Sequence, residues 1–283
     1  MILSNPRVTF FTPGRQLPHG DSYIIADQCY VQYRPPSIKN QNPPPLPILF
    51  VHGGGLTGAQ WESTPDLRPG WACLASQLGY EVYILDTVDS GRSARAPDSF
   101  RNQAIVEHRT AKETWDRFRF GPLDGWEERN LFPESQFPVE YFDALVASQI
   151  ARRRSNDEVE AKGIVDAIKI IGECWIIAHS HGAALILDII SEVKDHVKKM
   201  ALIEPGGTSA AHKLIKDVPS CVLWGDYLDM HAIWPKISKP FDESPAEIIR
   251  LPDRGIRGNT HFPMCDKNSD EIFNIVRKWL EKT

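Results

Sequence analysis

Positive charge is in short supply. The 283 residues carry 32 Lys and Arg against 37 Asp and Glu, a net charge of −5, so no basic field is available to hold phosphates and nucleic acid is not an expected partner. The run Arg152, Arg153, Arg154 reads as a solvated helix face. Long apolar runs are missing as well. None approaches the roughly 18 residues of a membrane helix, so no membrane span is expected. The opening stretch MILSNPRVTFFTPGRQ lacks the apolar centre of a secretory signal, although a chain whose leader has been removed would read the same. Cysteine is scarce and odd in number: Cys29, Cys73, Cys174, Cys221 and Cys265 are widely spaced, two of them inside apparent core strands. That argues for reduced thiols and a cytoplasmic setting. Repeats and low-complexity tracts are lacking too, apart from the proline-rich connector at 35–47.

The apolar content is ample, 42%, and the length suits one α/β domain carrying an insertion. Short β-branched and aromatic segments at 22–26 and 30–34 predict a hairpin that starts the sheet. Further strands are predicted at 47–51, 81–85, 174–178, 200–203, 220–223 and 247–251, and helices within 61–78 after the Pro65 and Pro69 turns, and at 157–171, 183–190 and 269–282. Asn156 and Gly172 are the expected start and stop of the second helix. This alternation predicts an α/β fold with a mostly parallel central sheet covered by helices on both faces. Between 98 and 151 the helical periodicity is poor, yet about a third of all the aromatic residues fall there. We read this stretch as a cap inserted into a core formed by 1–97 and 152–283.

The chemistry centres on ECWIIAHSHGAALIL, residues 173–187. A buried strand stops at His179-Ser180-His181-Gly182 and a small-residue helix follows, the strand, turn and helix of a nucleophile elbow with Ala178 in place of its first glycine. A serine hydroxyl is a weak nucleophile, so Ser180 needs a base and a carboxylate to orient that base. His179 and His181 flank the serine and point away from its hydroxyl. His52 is expected to brace the glycines after it, and His19, His108, His196 and His212 lie in loop or helix surface. Of the remaining pair, His231 and His261, the second sits in a glycine-rich loop before the last helix and is the favoured base. Glu204, at a strand end followed by Pro205-Gly206-Gly207, is the favoured acid, with Asp226 and Asp229 as alternatives. Two backbone N–H groups must meet the developing oxyanion, and Gly54 and His181 are placed to supply them. A zinc reading of His179 and His181 with Asp226 or His231 competes for residues the elbow already needs, so no metal and no cofactor are expected.

Together, His52-Gly53-Gly54-Gly55, Ser180 in its elbow and His261 before the last helix resemble the α/β-hydrolase superfamily over nearly the whole chain. More narrowly, GGGLTGAQWESTPDLRPGW (53–71), Glu204 and Gly258-Asn259-Thr260-His261 look like a small group of bacterial and fungal esterases whose acid is a glutamate after the sixth strand. The resemblance implies Ser180, His261 and Glu204 as a triad, with Gly54 and His181 as oxyanion donors. It implies a serine hydrolase that cleaves a carboxylic ester or lactone through an acyl-enzyme. The same site could instead serve a cyclase, an acyltransferase or a C–C lyase of a biosynthetic pathway, or a ligand receptor. The partner is expected to be a small apolar or aromatic molecule in a pocket walled by Gly55, His179, Trp115 and Trp126. Arg92, Arg95 and Arg119 are candidates to meet an acid group, and an exposed cap aromatic could serve a homodimer contact.

Overall fold

Four consecutive apolar residues that lose all their surface suit the middle of a sheet with both faces covered. Ile48–Val51 lies there, with every side chain buried. The computed structural model describes residues 7–38, 45–100, 106–207, 210–214 and 216–282. Residues 39–44 of the proline-rich connector and 101–105 of the cap lie outside that set. Eight strands form the central sheet: β1 (Phe10–Phe11), β2 (Tyr30–Arg34), β3 (Ile48–Val51), β4 (Val82–Asp86), β5 (Cys174–His179), β6 (Val197–Ile203), β7 (Ser220–Trp224) and β8 (Glu247–Arg250). Their order is β1-β2-β4-β3-β5-β6-β7-β8. β2 pairs antiparallel with both β1 and β4, and all later neighbours pair in parallel. Helices α1 (Trp71–Gln77), α2 (Ala111–Arg117), α3 (Phe142–Ala147), α4 (Asp157–Ile171), α5 (Ser180–Val193), α6 (Trp234–Ser238) and α7 (Ser269–Glu281) complete the regular structure. The first and last pack together, as do α4 and α5, and these pairs flank the sheet. Among the described residues no helix is long and apolar enough to cross a membrane.

One local expectation is corrected. Ser22–Ala26 does not pair with β2; it forms a separate ribbon with Arg15–His19. The tip of that ribbon is Gly20-Asp21, with Gly20 at φ 63°, and a two-residue turn of this kind closes a hairpin more tightly than the longer link through Asp27 and Gln28. The helix expected within 61–78 after the Pro65 and Pro69 turns is α1. Pro65 and Pro69 lack the N–H groups a longer helix needs, and Thr64 Oγ1 instead accepts the Arg68 N–H at 2.9 Å to close a loop.

Position 182 ties the elbow to the sheet. A Cβ there would lie 2.2 Å from the His52 carbonyl oxygen, so α5 can approach β3 this closely only with glycine. Gly182→Ala is expected to cost about 1–3 kcal/mol by overpacking. The check is a lower urea midpoint with unchanged slope.

The aromatics of the stretch expected to be a cap pack on one another and continue the main hydrophobic core. Phe120 packs against Phe137 and Phe142 at ring distances of 4.5 and 5.1 Å, and Trp115 meets Phe142 at 5.3 Å. A two-stranded ribbon, Val106–Glu107 with Arg152–Arg153, closes the base of this stretch. The Phe118 carbonyl accepts the His261 N–H at 3.2 Å, which links the cap directly to the loop carrying the candidate base.

Candidate active site

The turn from β5 into α5 places Ser180 at the first helical position with φ 49°. A non-glycine residue in this region is strained, and such strain persists only where surrounding structure holds it. Here Gly206 N–H donates to the Ser180 carbonyl at 2.9 Å. Ser180 is half-buried at the C-terminal end of the central strand β5.

Glu204 directly follows β6 at a second strained position, φ 49°. Its N–H donates to the Leu223 carbonyl at 2.8 Å, and the side chain is fully buried. The carboxylate has three partners. Oε2 accepts from His261 Nδ1 at 3.1 Å, while Oε1 accepts from Arg119 Nη2 at 2.7 Å and from the Gly225 N–H. A buried charge with this many partners is tolerated because its lone pairs are satisfied.

The His261 ring completes a line. With its Nδ1 proton directed at Glu204, Nε2 is free to accept the Ser180 hydroxyl at 3.0 Å. Phe118 stacks on the imidazole at 4.8 Å and 7°, and Trp234 lies at 4.5 Å. The loop is held from below by Asp266, which accepts from Asn259 Nδ2, Thr260 N–H and Thr260 Oγ1 at 2.9–3.0 Å. Burial raises the Asp266 carboxyl to about 7. Burial, and then the positive charges of Arg119, Arg109 and Arg117, hold the His261 imidazole well below its ordinary 6.5. A base with a lowered folded value is neutral and able to accept a proton over most of the pH range. The acid limb of kcat/KM is therefore expected to bend below pH 6.5. The sign for stability is separate. Between the lowered folded value and 6.5 only the unfolded chain protonates this histidine, so its contribution falls as pH drops through that window. A pH profile on a neutral ester from 4 to 9 checks the first, and thermal midpoints over the same range check the second.

The glycine loop after β3 is fixed by His52. Its Nδ1 donates to the Gly53 carbonyl at 2.8 Å and its Nε2 accepts the Thr87 N–H at 3.1 Å. Gln60 Oε1 accepts the Gly53 N–H at 3.1 Å. Gly54 then runs against the start of α5, where a Cβ on it would lie 3.0 Å from His181 Cβ. The two candidate oxyanion donors are thus adjacent beside Ser180.

A cavity of about 710 Å³ opens over the serine, with Gly54, Gly55, Ser180, His181 and Trp234 in its wall. Its wall carries charges of both signs, Arg109, Arg117 and Arg152 beside Glu107, Glu113 and Asp116. Three expectations about this pocket are corrected. Trp115 is fully buried and Trp126 packs against it at 6.1 Å; neither lines the cavity, because both rings pack into the hydrophobic core. His179 is also fully buried beneath the site, with Nε2 donating to the His261 carbonyl at 2.9 Å, while His181 faces Arg152. The two histidines therefore do not converge as a zinc pair. Arg92, Arg95 and Arg119 pair with Asp86, Asp98 and Glu204 and are not free to meet a substrate acid.

The alternative acids have other places. Asp226 accepts the N–H groups of Tyr227 and Gly258 at 2.9 and 3.1 Å, which shapes the histidine loop, and Asp229 is exposed. His231 reaches the cavity wall with Nε2 3.8 Å from Asp116. The residues that sequence reasoning overlooked are Arg119 as the partner of Glu204, Asp266 under the loop, and Arg109 and Arg117 in the cavity. The cap's missing periodicity hides the arginines, whereas Asp266, five residues after His261, could have been sought as a loop brace.

Residues 47–224 match the model of the alpha/beta hydrolase fold family. A fungal protein described as a probable secreted lipase, phiG (Fungal sp., strain ATCC 74256), is 25% identical over 86% of this chain and 84% of its own. Among solved structures, a novel bacterial esterase superposes with a TM-score of 0.80 at 23% identity, covering 96% of this chain and 94% of that one. The thioesterase domain from the curacin biosynthetic pathway gives a TM-score of 0.52 at 12% identity, covering 94% and 99%.

Proposed function

Because this chain belongs to the alpha/beta hydrolase fold family, we propose that it is a serine hydrolase that cleaves carboxylic esters, lactones included, through an acyl-enzyme. The observation that carries the reading is the continuous line Ser180 Oγ, His261 Nε2, His261 Nδ1, Glu204 Oε2, with contacts of 3.0 and 3.1 Å. The fungal relative's description as a lipase supports ester chemistry. Its description as secreted gives no support to the cytoplasmic setting read from the cysteines, all five of which are unpaired.

In this mechanism Ser180 Oγ attacks the ester carbonyl as His261 Nε2 takes its proton. Glu204 keeps the imidazole in the tautomer that leaves Nε2 open and stabilises the imidazolium that forms. The N–H groups of Gly54 and His181 receive the negative charge that develops on the carbonyl oxygen. His261 passes its proton to the departing alkoxide, then takes one from the water that attacks the acyl carbon, and returns it to Ser180 Oγ as the acyl–oxygen bond breaks and the acid leaves.

Turnover of a p-nitrophenyl ester in ¹⁸O-labelled water tests this. One solvent oxygen is expected in the acid product. Consumption without label would point to cyclisation or acyl transfer, and ligand binding without product would point to a receptor.

A further inference from the structure

Two arginines, Arg109 and Arg117, line the cavity over Ser180 without a direct ion pair among the described residues, although Glu113 lies near enough to act on both electrostatically. Arg109, half-buried, lies over the Phe118 ring at 4.8 Å, the same ring that stacks on His261. Its Nη1 comes within 3.9 Å of where a Cβ on Gly55 would sit, so the cation stands beside the glycine loop. Arg117, at the end of α2, lines the same space. Among the described residues neither has a carboxylate within ion-pair distance, whereas Arg119, Arg129 and Arg152 pair with Glu204, Asp143 and Asp157.

The acids in the cavity wall, of which Glu113 and Glu107 favour the charged form of Arg109 from a distance, make their direct contacts elsewhere. Glu113 accepts from Thr110 N–H and Oγ1 at 2.8 Å to cap α2. Asp116 faces His231, and Glu107 has an interaction of its own. Burial, and then the like charge of Arg117, lower the basicity of Arg109, so the pair is kept at a cost. A ligand anion would remove that cost, because a planar carboxylate matches the guanidinium fork.

Resting on the esterase reading above, we propose that the substrate is an ester bearing a free carboxylate, which Arg109 and Arg117 hold while the scissile carbonyl lies at Ser180. The carboxylate remains ionised throughout and takes no part in bond making; it orients the ester and favours acidic over neutral substrates.

The test compares matched esters at fixed pH and low salt: p-nitrophenyl hydrogen glutarate against p-nitrophenyl valerate, and the butyrate ester of 4-hydroxybenzoate against that of its methyl ester. A charge-assisted contact predicts a preference for the acid of about ten- to a hundredfold in kcat/KM in at least one pair. The preference is expected to shrink in Arg109→Met and Arg117→Met and to reverse in Arg109→Glu. General damage to the enzyme affects both members of a pair, so their ratio isolates the charge effect. Equal or better turnover of both neutral esters, unchanged by Arg109→Glu, would overturn the proposal. If no ester is hydrolysed, the esterase reading fails. The anion site is then decided by calorimetry with glutarate, binding to wild type and not to Arg109→Glu being the supporting result and absence of binding the contrary one.

Discussion

Ser180→Ala is expected to lower kcat on a short-chain p-nitrophenyl ester by about 10⁴- to 10⁶-fold, with KM changed far less. The asymmetry follows from what is removed. The cavity wall, the glycine loop and the N–H groups at the start of α5 stay in place, so substrate still binds. What disappears is the oxygen that attacks, together with its 3.0 Å contact to His261. Residual turnover would come from water in the same cavity, helped by the oxyanion donors alone. Stability should hardly move, since alanine is no more strained than serine at φ 49° and Ser180 is only half-buried. A variant that kept a tenth of the wild-type rate with an unchanged melting point would remove Ser180 from the chemistry.

Glu204→Gln should lower kcat on the order of 10⁴-fold and also destabilise the fold. An amide keeps the shape of the carboxylate but cannot hold the imidazole in the same tautomer through its charge, nor stabilise the imidazolium. The stability loss has a different origin. Arg119 is fully buried and its guanidinium depends on Glu204 Oε1 at 2.7 Å, with Trp234 4.8 Å away on its face. Neutralising the acid leaves that cation unpaired, at about 3–5 kcal/mol. Activity measured at a temperature where the variant stays folded separates the two effects. Asp226→Asn is the control that decides between the candidate acids. Asparagine retains an oxygen able to accept one of the two N–H groups that Asp226 holds, so activity should fall less than tenfold. The reverse pattern, a disabled Asp226→Asn beside an active Glu204→Gln, would assign the orienting acid to Asp226.

Legibility differs between core and cap for a physical reason. β3 and β5 are short apolar runs that end in residues with obvious backbone demands, His52-Gly53-Gly54-Gly55 and His179-Ser180-His181-Gly182, so strand, turn and chemistry coincide in a few neighbouring residues. His261 can be found because its loop precedes the last amphipathic helix, α7. Glu204 is visible through the Pro205-Gly206-Gly207 turn after it. Its burial and its pairing with Arg119 are not visible, since Arg119 comes from a cap without periodicity, 85 residues earlier in the chain. The same lack of local pattern makes Trp115 and Trp126 look like pocket walls. Whether a large ring faces a cavity or fills a core depends on neighbours far away in sequence, and Trp115, Phe120 and Phe142 meet one another. Ser22–Ala26 was open to two partners, and the Gly20-Asp21 turn rather than strand composition selects Arg15–His19.

Labelling with a fluorophosphonate followed by peptide mass mapping addresses the central claim most directly, because phosphorus reacts only with a serine whose proton has somewhere to go. The account predicts one adduct, on Ser180, formed with wild type, slowed strongly in Glu204→Gln and absent in Ser180→Ala. An adduct on another residue, or none on a folded protein that still turns over esters, would contradict it.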